Sequence, residues 1–133
     1  LTRSSGDKGI DFVGKMTVGS GFSKLDQVVL GQAKCVLPSS TTSGQDIART
    51  VAKLRRGWVG AFVTLGAFSD PVQQEVLEDE YPLILVPGER VAREVLADAM
   101  EAGETDLKEY LKQVDIEFQS SLVDRRPEEV LRL

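Results

Sequence analysis

Three short apolar runs, separated by helical segments, constrain the fold of this chain more than any other feature. The runs are rich in Val, Leu and Phe and cover residues 27–36, 58–65 and 82–86. Between them, apolar residues over 44–56 recur at the spacing of an amphipathic helix, and Asp70-Pro71 opens a shorter helix to about Glu80. Strands that alternate with helices are typical of an α/β fold. The chain is therefore predicted to form an α/β sandwich with a central mixed sheet flanked by helices.

The remaining segments extend this pattern at both ends. Residues 9–15 are predicted to form a further strand, and the glycine- and serine-containing stretch 16–26 a turn or loop. Ser43 is a good N-cap for the helix that follows it. Further helices are predicted over 88–102, over 104–120 and from Pro127 onward.

The composition is that of one compact enzyme domain. The chain has 133 residues, of which 41% are hydrophobic and 28% charged, so a real core is expected and a disordered tail is excluded. No apolar run is long enough to span a membrane. The single cysteine, Cys35, excludes an internal disulfide and fits a reducing, cytoplasmic compartment; a small buried core residue is the expected role for it.

The absence of histidine from the 133 residues excludes several kinds of catalysis. Ser-His-Asp and Cys-His mechanisms need an imidazole base, and most catalytic zinc sites contain histidine ligands. Any catalysis by this chain must therefore use carboxylate, amide, lysine or hydroxyl groups.

A carboxylate, an amide and a lysine are candidates for such a site. Asp11 belongs to the first predicted strand, and Gln32-Ala33-Lys34 ends the second. Gln32 and Lys34 are two residues apart, so on a strand they point to the same face. Mg²⁺ prefers oxygen ligands and binds one or two side chains together with substrate phosphate, which makes this set suitable for a cation beside a phosphodiester. The alternative is that Asp11 closes a turn and Lys34 is a solvated strand residue.

These residues and their surroundings resemble the catalytic core of the Mrr-like branch of the PD-(D/E)xK nucleases. The similarity lies in Gly6-Asp7-Lys8-Gly9-Ile10-Asp11, in Val28 to Lys34, in the Gly60 to Ser69 strand and loop, and in Pro82 to Gly88. The Gln-Ala-Lys form and its long spacing after Asp11 are most similar to the MspJI-type modification-dependent restriction endonucleases. The resemblance covers roughly residues 1 to 100.

The resemblance implies a restriction-endonuclease-like sandwich and a Mg²⁺-dependent DNA endonuclease of the type II-like, site-specific kind. Asp11, Gln32 and the backbone carbonyl of Ala33 would hold the metal, and Lys34 would act on the attacking water or the developing charge. It also implies a prokaryotic restriction system that acts on modified double-stranded DNA of the 5-methylcytosine type. A homo-oligomer is expected, since each site cuts one strand of the duplex.

Two features of the sequence are unusual for a nuclease domain that acts alone. Gln32 stands where the family motif usually has a carboxylate, and a neutral amide is a weaker Mg²⁺ ligand. The net charge of −5 is unfavourable for a DNA-binding protein.

The chain also starts at Leu1 without methionine. We therefore expect residues 1–133 to be a nuclease domain cut from a longer protein, with a helical extension over about 104–133. A DNA-recognition domain is expected upstream of it.

Candidate DNA contacts lie on the helix over 44–56 and near the Gly66 loop. Arg49, Lys53 and Arg56 would bind phosphates, and the alternative is an ordinary solvated helix face. Thr64 and Ser69 flank the loop at the end of a core strand, where they would either bind phosphate or cap the loop. Two other functions stay open: a repair or junction-resolving nuclease of the same fold, and an interaction domain with a decayed site.

Overall fold

A computed structural model describes residues 10–120 of the chain. Its central sheet has four strands: β1 (Phe12–Val18), β2 (Leu25–Lys34), β4 (Val59–Thr64) and β6 (Leu83–Val86), in the order β1-β2-β4-β6. β1 is antiparallel to β2, whereas β2, β4 and β6 are parallel to one another. The predicted mixed sheet is therefore confirmed.

The helices connect these strands much as predicted. They are α1 (Gly44–Val51), α2 (Asp70–Glu78), α3 (Gly88–Glu101) and α4 (Leu107–Ser120). The oxygen of Ser43 accepts a hydrogen bond from the amide of Asp46, so Ser43 is the N-cap of α1, as predicted. α1 ends at Val51, before the predicted boundary at 56, and the chain continues through turns to β4. The helix predicted from Pro127 lies outside the described residues.

The predicted loop over 16–26 is wrong at both ends, where residues 16–18 and 25–26 belong to strands. β1 starts at Phe12 and continues to Val18, and β2 begins at Leu25, so the two strands form a hairpin closed by a short 3-10 turn at Gly21–Ser23. Alternating polar residues on an edge strand give a weak sequence signal, because one face of such a strand lies in solvent. Gly19 and Gly21 mark only the tip, where both have positive φ angles.

A second, two-stranded sheet was not predicted. β3 (Thr41–Thr42) pairs in parallel with β5 (Ala67–Phe68), and each strand has only two residues. Segments this short carry no periodicity that would distinguish them from loop. The pair ties the loop before α1 to the loop after β4, on the side where β2 and β4 end.

The core lies between the parallel strands and the first two helices. Phe62 of β4 is fully buried and packs with Ile47 of α1, Phe68 of β5, and Val72 and Val76 of α2. Neighbouring residues of a strand face opposite sides, so Ala61 points to the other face of the sheet. α3 also contacts β4, and α4 contacts α3. Within residues 10–120, none of the helices has the length and apolar composition needed to cross a membrane.

Candidate active site

The hairpin brings the predicted site residues together at one end of β2. Phe12 is the partner of Gly31, and the backbone amide of Asp11 donates to the carbonyl of Gly31 at 2.8 Å. Asp11 therefore lies beside the last residues of β2, among which Gln32 and Lys34 share a face because they are two residues apart.

Gly31 permits this close approach of the two strands. A Cβ atom at residue 31 would overlap the ring of Phe12, which lies across the glycine. Gly31 therefore allows Phe12 to anchor the start of β1, and that anchor fixes the position of Asp11 beside the Gln-Ala-Lys segment.

The Asp11 carboxylate spans the two strands at the site. Its Oδ2 atom accepts a hydrogen bond from the backbone amide of Ala33 at 2.7 Å. Asp11 precedes the first residue of β1 and is half-buried, rather than lying within the strand as the sequence analysis placed it. An ionised carboxylate has about four lone-pair sites, so one bond to Ala33 leaves oxygen capacity for a cation.

Gln32 is held by a residue that sequence analysis missed. The hydroxyl of Thr50, on α1, donates to Oε1 of Gln32 at 2.7 Å. Thr50 is only 4% exposed, so this contact is well defined by the packing of α1. An amide oxygen has two lone pairs, and the second remains available for a ligand. Nothing in the local sequence indicates the pair, because the two residues are 18 positions apart.

Lys34 is held by a second missed residue, Asp46. The Lys34 Nζ donates to Asp46 Oδ2, and the side chains are 38% and 16% exposed. The hydrogen bond from Lys34, opposed by desolvation and reinforced by Ser43, holds the pKa of the Asp46 carboxyl below its usual range. The sequence analysis identified Ser43 as the helix cap but did not single out Asp46, whose contact with Lys34 depends on how α1 packs against β2.

The donor atoms at this site fit Mg²⁺. A carboxylate from Asp11, an amide oxygen from Gln32 and the carbonyl of Ala33 are all hard oxygen ligands, which Mg²⁺ prefers over nitrogen or sulfur. Among the described residues, no group of three or more His, Cys, Asp and Glu side chains is placed to hold a metal. The amide and the backbone carbonyl are therefore needed to complete any metal site here, together with water and substrate.

The basic residues predicted to contact DNA lie on and just beyond α1. Arg49 is on α1 with its guanidinium 3.8 Å from Asp46, and its side chain is 71% exposed. Arg56 is exposed and Lys53 half-buried, in the turns that follow the helix. Nearby, the guanidinium of Arg55 lies 5.0 Å from the centre of the Trp58 ring, a cation–π contact. Arg49 thus contacts the Lys34–Asp46 pair directly, through the carboxylate of Asp46.

The two hydroxyl residues at the Gly66 loop have different surroundings. Thr64 is 1% exposed, and its Oγ1 accepts from the amide of Gly66 at 3.1 Å, which supports loop capping over phosphate binding. Ser69 is half-buried at the N-cap of α2, where its side chain makes no capping hydrogen bond. A side chain in that position remains open to a ligand.

Cys35 corrects one expectation from the sequence. It is exposed, not buried in the core. The residue directly follows the last residue of β2, so it lies where this strand ends. It lines a shallow groove together with Lys34, Val63 and Leu65.

The fold and the arrangement at the strand ends define a restriction-endonuclease-like domain. Among solved structures, the MspJI restriction endonuclease in complex with a 27-mer oligonucleotide matches with a TM-score of 0.88 and 44% sequence identity. The match covers 100% of this chain and 30% of that one. The predicted resemblance to the MspJI-type endonucleases and the predicted fold are both confirmed.

A second solved structure shares the fold. The DNA modification-dependent restriction endonuclease AspBHI matches with a TM-score of 0.64 and 18% identity, over 79% of this chain and 27% of that one. This chain thus spans less than a third of the length of either enzyme. No family model and no curated protein matches it.

Proposed function

We propose that this chain is the cleavage domain of a Mg²⁺-dependent DNA endonuclease of the modification-dependent restriction type. The observation that carries the proposal is the hydrogen bond from the amide of Ala33 to the Asp11 carboxylate, which places Asp11 at the end of β2 that also carries Gln32 and Lys34. The 44% identity to a restriction endonuclease solved with an oligonucleotide supports DNA as the substrate.

The proposed reaction is hydrolysis of a phosphodiester by in-line attack of water. Asp11, Gln32 and the carbonyl of Ala33 hold the cation. When bound, Mg²⁺ supplies activation of a water and stabilisation of the charge that develops on the phosphate. The ammonium of Lys34 has three donors, and the contact with Asp46 uses one of them. The other two orient the attacking water or neutralise a phosphate oxygen.

Phosphate binding is assigned to the exposed cations near α1 and to Ser69. Arg49 is largely exposed, and Arg56 is exposed beyond the helix, so both can reach a DNA backbone. Lys53 is a weaker candidate for phosphate binding, because it is half-buried. With a net charge of −5, the chain by itself offers little non-specific attraction to DNA. We therefore place recognition of the modified base in another domain of the full-length protein.

This proposal predicts selective cleavage of modified duplex by the full-length protein in Mg²⁺. The substrates are two duplexes of identical sequence, one with 5-methylcytosine and one with cytosine, and both strands are followed on denaturing gels. Cleavage of the methylated duplex, and its loss in EDTA, is the expected result. Equal cleavage of both duplexes would favour a repair-type nuclease, and cleavage in EDTA would exclude the proposed chemistry.

The full-length protein is proposed to act as a homo-oligomer, because one site cuts one strand. α4 supplies surface for assembly: Leu111, Ile116 and Phe118 are 46%, 67% and 50% exposed. The rate of double-strand cleavage is expected to rise more steeply than linearly with enzyme concentration when that concentration is low. Linear dependence, together with a monomeric mass by light scattering both free and on DNA, would contradict the assembly.

A further inference from the structure

The geometry points to α1 as the element that positions the proposed site, through Thr50 on Gln32 and Asp46 on Lys34. The inference rests on the proposed nuclease function and extends it to two residues that are neither metal ligands nor substrate contacts. Asp46 and Thr50 are assigned as positioning residues: each fixes the side chain of a site residue on β2.

The match in spacing between the helix and the strand is the first argument. Asp46 and Thr50 are four residues apart, which is about 6 Å along a helix. Lys34 and Gln32 are two residues apart, which is about 6.7 Å along a strand. α1 runs antiparallel to β2, so its first turn meets Lys34 and its second turn meets Gln32. Two successive contacts of this kind align both side chains at once.

The packing of α1 is the second argument, because a positioning element must itself be fixed. Ile47 is 1% exposed and packs against Phe62, which is the register partner of Gln32 on the neighbouring strand. Buried residues of the core thus fix the position of α1 relative to β2. The Ser43 cap stiffens the start of the helix next to Asp46, where the hydroxyl of Ser43 also donates to Oδ2 of Asp46 at 2.9 Å.

The chemistry of the two contacts is the third argument. A hydroxyl that donates to Oε1 of Gln32 fixes the rotation of the amide and leaves one lone pair of that oxygen for a cation. The contact with Asp46 orients the Lys34 ammonium and leaves two donors toward the substrate. Groups that orient metal ligands typically change metal affinity or activity by about 10- to 100-fold when removed.

Each residue also has a local structural role, so the test must separate the two. The Thr50 hydroxyl also lies 3.2 Å from the carbonyl of Asp46, a longer, alternative acceptor for its one proton, and the side chain fills buried space. Asp46 belongs to the N-terminal cap. In the full-length protein, Thr50→Val keeps the size of the side chain but removes the hydroxyl, whereas Thr50→Ser keeps the hydroxyl but leaves a cavity. If Thr50 acts only through packing, Thr50→Ser should lose more activity than Thr50→Val. If Thr50 positions Gln32, Thr50→Val should lose more.

The first measurement is the Mg²⁺ concentration for half-maximal cleavage, with Mg²⁺ binding to the protein measured separately by calorimetry. We expect Thr50→Val to raise the Mg²⁺ concentration for half-maximal cleavage, and the dissociation constant for Mg²⁺, by roughly tenfold or more. Both values should stay within about threefold of wild type for Thr50→Ser. If Thr50→Ser loses more than Thr50→Val, the hydroxyl does not position Gln32, and the inference is wrong for this residue.

The second measurement compares Asp46→Asn with Asp26→Asn, because both remove a carboxylate paired with lysine. Asp26 contacts Lys15 at 3.4 Å and accepts from Thr17 at 2.6 Å, near the far end of the hairpin. We expect Asp46→Asn to lower the cleavage rate at saturating Mg²⁺ by roughly tenfold or more, with no change in Mg²⁺ binding. Asp26→Asn should retain the wild-type rate. Equal rates for the two variants would overturn the role of Asp46.

These outcomes distinguish the inference from the proposed function. If the wild-type protein fails to cleave DNA in Mg²⁺, the proposed function fails, and the inference fails with it. If the wild-type protein cleaves and Asp11→Asn does not, while Thr50→Val and Asp46→Asn keep full activity, only the inference is overturned.

Discussion

Replacing Asp11 with alanine is expected to abolish DNA cleavage by the full-length protein in Mg²⁺ and to leave the fold intact. The variant loses the only charged ligand among the proposed metal donors. Metal stabilisation of the transition state is worth several kcal/mol, which corresponds to a loss of roughly 10²- to 10⁴-fold in rate. The hydrogen bond to Ala33 is also lost, but Ala33 is exposed, so water can replace it.

Single-turnover cleavage and the melting temperature of the variant are the measurements for Asp11. Asp11→Asn is the conservative companion, since it retains an acceptor for the amide of Ala33 and removes only the charge. Asp26→Asn is the matched control on the same hairpin, about 20 Å away along β2. Cleavage at the wild-type rate by Asp11→Ala would remove this carboxylate from the mechanism.

Replacing Lys34 with alanine is expected to reduce cleavage by roughly 10²-fold or more while DNA binding stays within a few-fold of wild type. The loss reflects removal of a positioned acid–base or electrostatic group. Without the lysine, the Asp46 carboxylate has lost the partner that contributes most to lowering its pKa. Its charge is then balanced only by the more distant Arg49, so the double variant Lys34→Ala/Asp46→Asn is needed to isolate the effect of Lys34.

Binding and cleavage measured in parallel test the role of Lys34. Lys15→Ala is the matched control, because Lys15 is also a strand lysine paired with an aspartate and is 42% exposed, against 38% for Lys34. It should leave both quantities unchanged. If binding by Lys34→Ala falls as much as cleavage, and does so again in the double variant, Lys34 is only a phosphate contact.

The parallel core of the fold could be predicted because its sequence signals are local. β2, β4 and β6 are short apolar runs, and α1 has a cap and an apolar stripe within one segment. The second half of β1 was predicted as loop because its last positions, such as Thr17, face solvent. Such an edge strand is recognised only when its partner is known, and that information is not local.

The site could be predicted in part for the same reason. Gln32 and Lys34 share a face by strand periodicity alone, and the resemblance supported joining Asp11 to them. Thr50 and Asp46 were not identified, because their contacts with Gln32 and Lys34 depend on how α1 packs against the sheet. Cys35 was predicted to be buried, because strand alternation does not indicate where the covered part of a sheet ends.

A crystal structure of the full-length protein with Mn²⁺ most directly tests whether Asp11 and Gln32 hold the catalytic cation. Anomalous scattering locates the ion independently of the surrounding model of the protein. We predict one peak bound to a carboxylate oxygen of Asp11 and to Oε1 of Gln32, at distances within about 0.2 Å of the 2.0–2.1 Å typical of Mg²⁺. A peak elsewhere, or no peak at saturating Mn²⁺ while Asp11 stays bonded to Ala33, would contradict the assignment.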